Sequence, residues 1–342
     1  MDRRSFLRGT GASLAFLAMG QFATADEPKK KTEAEAPKKK PPLPFVPGSW
    51  TLAILPDTQG YAKRYPGLLR LQTQWIADHR DQYGIAYVLQ NGDLTNNNSK
   101  LEWDRVDRAF KVLDGVVPYA IVPGNHDYPK CGRGDRNTPI NNYFPPSRFE
   151  SWPSFGGTME PGHIESSYHR FEAGGKEWLI LGLEWGPRDK TLEWADTVLA
   201  KYPDRKALVF THAYLYNDST RYDWAKKGRR QGASPHAYDI VGGLNDGEEI
   251  WQKLIRKHPS VSLVMNGHVL GDGLGFQVSK GDHGNRVNEM LVNFQMREFT
   301  GAARMRLLEF LPDGKTVQAK TYSPFYDQFD TDPQSQFVFS VD

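Results

Sequence analysis

The stretch Val122-Pro123-Gly124-Asn125-His126-Asp127 follows directly on an apolar run, residues 116–122, and places an amide, an imidazole and a carboxylate side by side. The run reads as a buried strand that the Pro-Gly pair breaks. The three polar side chains then fall in a loop at the strand's C-terminal edge, where open α/β sheets hold their ligands. Taken alone, Gly-Asn-His-Asp is also ordinary turn composition. Its meaning depends on what other strand ends bring to the same edge.

Working outward, residues 50–55 form an apolar strand closed by Pro56 and followed at once by Asp57-Thr58-Gln59. Helical spacing over residues 68–82 leads to a strand at 86–89 that ends in Asn91-Gly92-Asp93, and Trp103, Val106, Phe110 and Leu113 mark the next helix. Strand, helix, strand, helix, strand with short links predicts parallel pairing and right-handed crossovers, which bring the polar clusters to one sheet edge. Beyond an irregular, aromatic-rich segment at 128–166, residues 168–172 and 178–183 read as an antiparallel hairpin around Gly174-Gly175. A helix at 192–201 precedes a strand at 207–211 that ends in His212, and a helix at 248–257 precedes a strand at 261–265 that ends in Asn266-Gly267-His268. The tail, with strands near 289–294, 305–310 and 316–322 and a turn at Pro312-Asp313-Gly314, is expected to finish as antiparallel sheet. The fold class expected is α/β, with two packed mixed β-sheets flanked by helices in a four-layer α/β/β/α sandwich, one domain over residues 49–342.

The N-terminal part has a different character. Arg3-Arg4-Ser5-Phe6-Leu7-Arg8, an apolar segment and Ala23-Thr24-Ala25 have the layout of a signal peptide over residues 1–25. The paired arginines resemble a twin-arginine export signal, which implies a periplasmic or extracellular protein. Residues 26–48 are almost only Lys, Glu, Pro and Ala, the composition of a disordered tether. Leader and tether each carry a net charge of +2, so the whole-chain +2 leaves about −2 for the remainder. A near-neutral domain offers no basic face for nucleic acid. The chain shows no membrane-length apolar segment, and a monomer is expected. Cys131 is the only cysteine, which excludes an internal disulfide, and it reads as a loop residue.

Five strand ends therefore present Asp57 with Gln59, Asp93, Asn125 with His126 and Asp127, His212, and His268. Carboxylate oxygens with imidazole nitrogens and no thiolate suit ions such as Mn, Fe or Zn. Paired ions of this kind activate water and neutralise phosphoryl oxygens. With Gly92-Asp93, Gly124-Asn125-His126-Asp127, Thr211-His212 and Gly267-His268 in that order, the chain resembles the calcineurin-like metallophosphoesterase family over roughly residues 50–325. The resemblance implies that Asp93 bridges two ions, that Asn125, His212 and His268 complete one site, and that Asp57 and Gln59 belong to the other. It also implies that His126 protonates the leaving oxygen, with Asp127 orienting it.

Two positions depart from the family pattern. Gln59 stands where the family usually has histidine, and Gly267-His268-Val269-Leu270 ends in leucine where a second histidine is usual. Either the first site is oxygen-rich and selects a hard ion such as Mg or Mn, or it is empty. Asp272 or His283 could supply a missing ligand, or both could be plain turn residues. The loop after His212 carries Lys226, Lys227, Arg229, Arg230 and His236. Arg229, Arg230 and His236, with Asn125, are the expected substrate contacts, against the alternative of a solvated loop. The expected function is a metal-dependent phosphoesterase that hydrolyses a phosphate mono- or diester, on a small phosphorylated substrate or a phosphoprotein, by metal-activated water. The alternative is a catalytically weak metal- or phosphate-binding protein with a degraded first site.

Overall fold

The computed structural model describes residues 40–342. The expected leader, 1–25, and residues 26–39 of the expected tether lie outside the described residues. The chain begins β1 (Trp50–Leu55), α1 (Gln59–Arg64), α2 (Pro66–Asp78), β2 (Ile85–Gln90), α3 (Lys100–Phe110) and β3 (Tyr119–Ile121). It continues α4 (Ile140–Tyr143), β4 (Phe155–Glu160), β5 (His163–Ala173), β6 (Lys176–Gly182), α5 (Asp189–Lys201), β7 (Lys206–Phe210) and α6 (Trp224–Lys227). It ends α7 (Gly247–Lys253), β8 (Val261–Asn266), β9 (Leu274–Lys280), β10 (Arg286–Val292), β11 (Met305–Phe310), β12 (Thr316–Ser323), β13 (Gln328–Asp330) and β14 (Phe337–Ser340).

These strands make two mixed sheets of seven. The first runs β13-β12-β11-β1-β2-β3 with β14 also on β12, and the second runs β4-β5-β6-β7-β8-β10-β9. β1, β2 and β3 are parallel, as are β6, β7, β8 and β10. Leu52, Ile54, Leu89 and Val122 of the first sheet meet Leu208, Phe210, Leu263 and Met265 of the second in a dry layer between them. α1 to α3 cover the outer face of the first sheet through Leu69, Ile76, Trp103 and Phe110. α5 and α7 cover the second through Leu192, Val198 and Ile250. Burial on both faces is why β1 and β8 read as unbroken apolar runs. Among the described residues no helix is long and apolar enough to cross a membrane.

Three sequence expectations change. The tail does not form one antiparallel sheet: β11 and β12 do pair antiparallel, but β10 joins the second sheet, parallel to β8 and antiparallel to β9. The segment 128–166 is less irregular than expected, since it contains β4 and the start of β5. β4 is masked in the sequence by Gly156 and Gly157, and a Cβ on Gly156 would lie 2.2 Å from the Tyr168 ring, so the strand needs glycine to lie under that aromatic. Residues 40–48, assigned to the tether, are partly docked. The Phe45 ring lies 4.3 Å from that of Tyr83, and Leu43 and Val46 donate backbone N–H bonds to Gln336 and Glu309.

One buried histidine links fold to acidity. His169 lies on β5, with Nδ1 2.8 Å from Tyr87 Oη and Nε2 3.1 Å from Ser167 Oγ. Burial lowers its pKa to about 3. The folded state thus refuses a proton that the unfolded chain accepts near pH 6.5, so this contribution to stability is present above that pH and is lost as pH falls from there toward 3. At pH 5 the loss is about 2 kcal/mol. Urea midpoints at pH 7 and pH 5 should fall further for the wild type than for His169→Gln, and equal falls would contradict this role.

Candidate metal centre and active site

The site lies where strands of both sheets end. β1 delivers Asp57, β2 Asp93, β3 Asn125, β7 His212 and β8 His268, and all five side chains are buried. Three glycines make the convergence possible. A Cβ on Gly124 would lie 2.2 Å from Asp93 Oδ1, one on Gly267 would lie 2.1 Å from Asp57 Oδ1, and one on Gly92 would lie 2.5 Å from His212 Nδ1. Only residues without a side chain let the loops approach this closely. Asp93 and His268 hold left-handed backbone, φ 53° and 73°. Such strain persists only where contacts over-determine it. Here the His126 N–H donates to Asp93 Oδ1 at 2.9 Å, and the His268 N–H donates to both Asp57 oxygens at 3.0 and 3.1 Å.

The donor chemistry fits a cation. His212 Nδ1 gives its proton to the Asn91 carbonyl at 2.7 Å, and His268 Nε2 gives its proton to the Ala233 carbonyl at 2.8 Å. With both rings neutral, as ligation of a cation requires, their remaining nitrogens, 3.2 Å apart, face each other as lone pairs. Asn125 Oδ1 lies 3.2 Å and Asp93 Oδ1 3.3 Å from the same His212 Nε2. Asn125 is fixed with its oxygen inward because its Nδ2 donates to Cys131 Sγ at 3.1 Å. Four acceptors around one point call for a positive charge at that point, and backbone-anchored imidazoles are the usual means of presenting it. Without an ion a proton on His212 supplies that charge: burial opposes it, yet the Asp93 carboxylate pushes the His212 pKa up to about 9, whereas burial and the His212 charge lower His268 to about 3. Asp93, His212 and His268 can each offer a ligand atom within 4.8 Å of one another. Trp185 closes the far side, its ring 5.5 Å from that of His212 and 5.0 Å from that of His268.

Gln59 reaches the same edge in a different role. Its Nε2 donates to Asp93 Oδ2 at 2.9 Å and to Gln295 Oε1 at 2.6 Å, so it presents protons to the carboxylate rather than an oxygen to an ion. Its own Oε1 is buried without a partner. Asn293 Nδ2 donates to Asp57 Oδ2 at 2.9 Å. Burial drives the Asp57 carboxyl up to about 7 against the pull of His212.

Asp127 and His126 divide their work differently from expectation. Asp127 accepts from the N–H groups of Gly124 (2.8 Å), Leu94 (3.0 Å) and Thr95 (2.8 Å) and from Thr95 Oγ1 (2.9 Å). It staples the loop after β2 to the loop after β3. The His126 ring is oriented instead by the Asn96 carbonyl, 2.7 Å from Nδ1. Burial works against its charge, but Asp93, the neighbouring Cys131 and the Asn96 carbonyl raise its pKa to about 10.

Five further positions behave as turn or loop residues. Asp272 is exposed and accepts from the Leu274 N–H at 3.3 Å, and His283 is exposed with Nε2 3.1 Å from the Lys257 carbonyl, so neither replaces a ligand. Arg229 and Arg230 are exposed, and Arg230 donates to the carbonyls of Lys226 (2.7 Å) and Lys227 (3.2 Å) in its own loop. His236 pairs with Glu249 at 2.7 Å at the start of α7. The structure thus brings none of Arg229, Arg230 and His236 into contact with the metal edge. What this loop contributes is backbone, the Ala233 carbonyl that holds His268. Sequence reasoning also missed Asn293 and Gln295, although the pattern of polar residues following an apolar strand applies to both.

The site is thus a nitrogen-oxygen cradle for a cation at the shared strand ends of a two-sheet α/β sandwich. A sequence model described as calcineurin-like phosphoesterase matches residues 51–272, and the chain belongs to that family. A Bacillus subtilis protein named "Uncharacterized protein YvnB" is 29% identical over 314 residues, covering 88% of this chain and 22% of that protein. A protein of Arcobacter nitrofigilis named "Probable glycerophosphodiester phosphodiesterase GpdQ" is 29% identical over 128 residues, 36% of this chain and 40% of that protein. The chain therefore spans well under half the length of either relative. In structure it resembles a dimetal phosphatase from Danio rerio, with TM-score 0.50 and 13% identity, covering 86% of this chain and 99% of that one. At that identity the likeness is one of fold.

Proposed function

We propose that this chain is a metal-dependent phosphoesterase that hydrolyses a phosphate mono- or diester by attack of water, with no covalent phosphoenzyme. The observation that carries the reading is the set of four acceptors, from Asp93, Asn125, His212 and His268, converging beside a histidine whose Nδ1 is already engaged. A divalent cation held by those four residues would act as a Lewis acid toward a phosphoryl oxygen and toward water. Asn96 holds His126 Nδ1, which leaves Nε2 as the nitrogen that gives a proton to the departing oxygen. Asp127 keeps the two loops in register, and Trp185 keeps bulk water from the far side. The reading includes export through the twin-arginine-like leader and a monomeric state.

One observation favours the second reading, a weakly catalytic metal- or phosphate-binding protein: Gln59 donates to Asp93 where the family carries a ligand. Hydrolysis of p-nitrophenyl phosphate, bis-p-nitrophenyl phosphate and an alkyl ester with Mn, Zn, Fe or Mg separates the two. Metal-dependent turnover is expected. His126→Ala should lower kcat by roughly 10²–10⁴ on the alkyl ester, whose leaving oxygen most needs the proton, and by less on the nitrophenyl esters. Absence of metal-dependent turnover on every ester would leave the binding protein.

A further inference from the structure

Two cavities flank the metal centre and meet at Asn96. One, of about 480 Å³, is lined by His126 and Tyr128, and the other, of about 460 Å³, by Gln59 and Gln295. The second is walled by Tyr65, Met296 and Phe299, which are 38%, 62% and 47% exposed. Large apolar side chains left in water together mark a binding surface more often than chance. The Phe299 and Tyr65 rings stand 6.0 Å apart at 84°, and Phe325 extends the patch at 5.5 Å from Phe299. Lys63 and Arg64 also line the cavity and form no ion pair among the described residues.

The wall is built under strain. Residues 299–303 all have left-handed backbone, φ 50°, 56°, 110°, 49° and 58°, and only one of them is glycine. Each non-glycine residue in that region costs roughly 1–2 kcal/mol, so runs of them are avoided unless something holds them. Here Thr300 sits so close over α1 that a Cβ on Gly60 would lie 2.6 Å from its own. Strained backbone concentrates at ligand clamps, and this turn presents Phe299 toward the cavity that opens on Gln59.

We infer that this second cavity seats the ester group that stays on phosphorus, and that the substrate is a phosphodiester whose retained group is flat and apolar. The inference rests on the phosphoesterase reading above. In-line displacement sets the leaving oxygen beside His126, in the first cavity, which leaves the retained group to lie in the second. A monoester would fill only one of the two. In the reaction water forms a new P–O bond, the P–O bond to the leaving alcohol breaks, and the alcohol oxygen takes a proton from His126. The attacking water loses one proton to solvent and solvent returns one to His126, so that diester plus water gives monoester plus alcohol. Lys63 and Arg64 offer a cationic rim to the phosphoryl anion, while Tyr65 and Phe299 grip the ring edge to face.

The test keeps the leaving group constant. Phenyl p-nitrophenyl phosphate and methyl p-nitrophenyl phosphate release the same nitrophenolate and differ only in the retained group. The wild type should prefer the phenyl ester in kcat/KM, and Tyr65→Ala and Phe299→Ala should each reduce that preference at least fivefold. Thermal midpoints would confirm that both variants fold, and the two changes lie on separate elements. Binding gives a second readout on the metal-loaded protein: phenylphosphonate should bind at least fivefold tighter than methylphosphonate, with the difference lost in Tyr65→Ala. A preference that survives both substitutions, or equal binding of the two phosphonates by the wild type, overturns the inference. No hydrolysis of either ester together with the phosphonate difference would sink the phosphoesterase reading and keep the pocket.

Discussion

Asp93→Asn protein is expected to purify with less than a tenth of the wild-type metal and to lose at least about 10³ in kcat/KM, a loss of the size found when a central charged group is removed from a preorganised site. Asp93 sets one carboxylate oxygen 3.3 Å from His212 Nε2, while its second oxygen accepts from Gln59. An asparagine there would remove the negative charge, and with its amide oxygen kept at the Oδ1 position under the His126 N–H its N–H₂ would face the N–H₂ of Gln59, donor against donor. The backbone bond from His126 could still reach an amide oxygen, so the loop should keep its place and the thermal midpoint should change little in the absence of metal. Elemental analysis of both proteins checks this, and full metal retention in the variant would contradict it. The same measurement on the wild type should find one tightly held ion per chain. Uptake of a second in excess Mn would show that Gln59 turns its orphaned oxygen to an ion beside Asp57.

Gly124→Ala should be nearly as damaging, for a reason of space rather than charge. The new methyl would lie 2.2 Å from Asp93 Oδ1 and 2.3 Å from the Asp93 backbone nitrogen, and the latter cannot swing away. Overpacking of this kind costs roughly 1–3 kcal/mol of stability. Because the displaced atoms belong to the donor itself, kcat should fall by about 10² or more, in keeping with the sensitivity of positioned groups to shifts of an ångström. Gly67→Ala supplies the control. A Cβ at Gly67 on α2 meets nothing within 4 Å, and removing glycine from a compatible position stabilises by about 0.4–1 kcal/mol. Urea midpoints and kcat for the pair would separate a local clash from the general effect of glycine to alanine. Near-wild-type kcat in Gly124→Ala would show that the loop after β3 is freer than its packing indicates.

Much of the edge was legible because each donor follows an apolar run, closed by glycine or proline at every one but His212, and parallel connections bring such ends together. Asp57, Asp93, Asn125, His212 and His268 were found this way. Gln59 does lie at the edge, but its role depends on which acceptors face its amide, and Gln295 arrives from a strand that was expected in an antiparallel tail. The groups that orient the imidazoles, the carbonyls of Asn91, Asn96 and Ala233, are main-chain atoms and carry no residue signature. Arg229, Arg230 and His236 show what a row of cations in a long loop does not reveal in sequence: Arg230 turns to carbonyls of its own loop and His236 to Glu249, while Arg229 stays exposed.

The division of the donors between two sheets also bears on how the chain folds. Asp57, Asp93 and Asn125 come from the first sheet and His212 and His268 from the second, while β1 must find β11, Trp50 opposite Phe310. Contacts this distant along the chain form late and slowly. A growing chain that has reached only the first three strands carries three of the oxygen donors and neither imidazole ligand, and its hold on an ion is correspondingly poor. Binding energy then accrues to the finished sandwich alone, about 2.7 kcal/mol at an ion concentration a hundred times Kd. The ion would act as a latch that closes only after both halves have docked, so ion-loaded chains should resist unfolding while partly folded ones gain nothing from the ion.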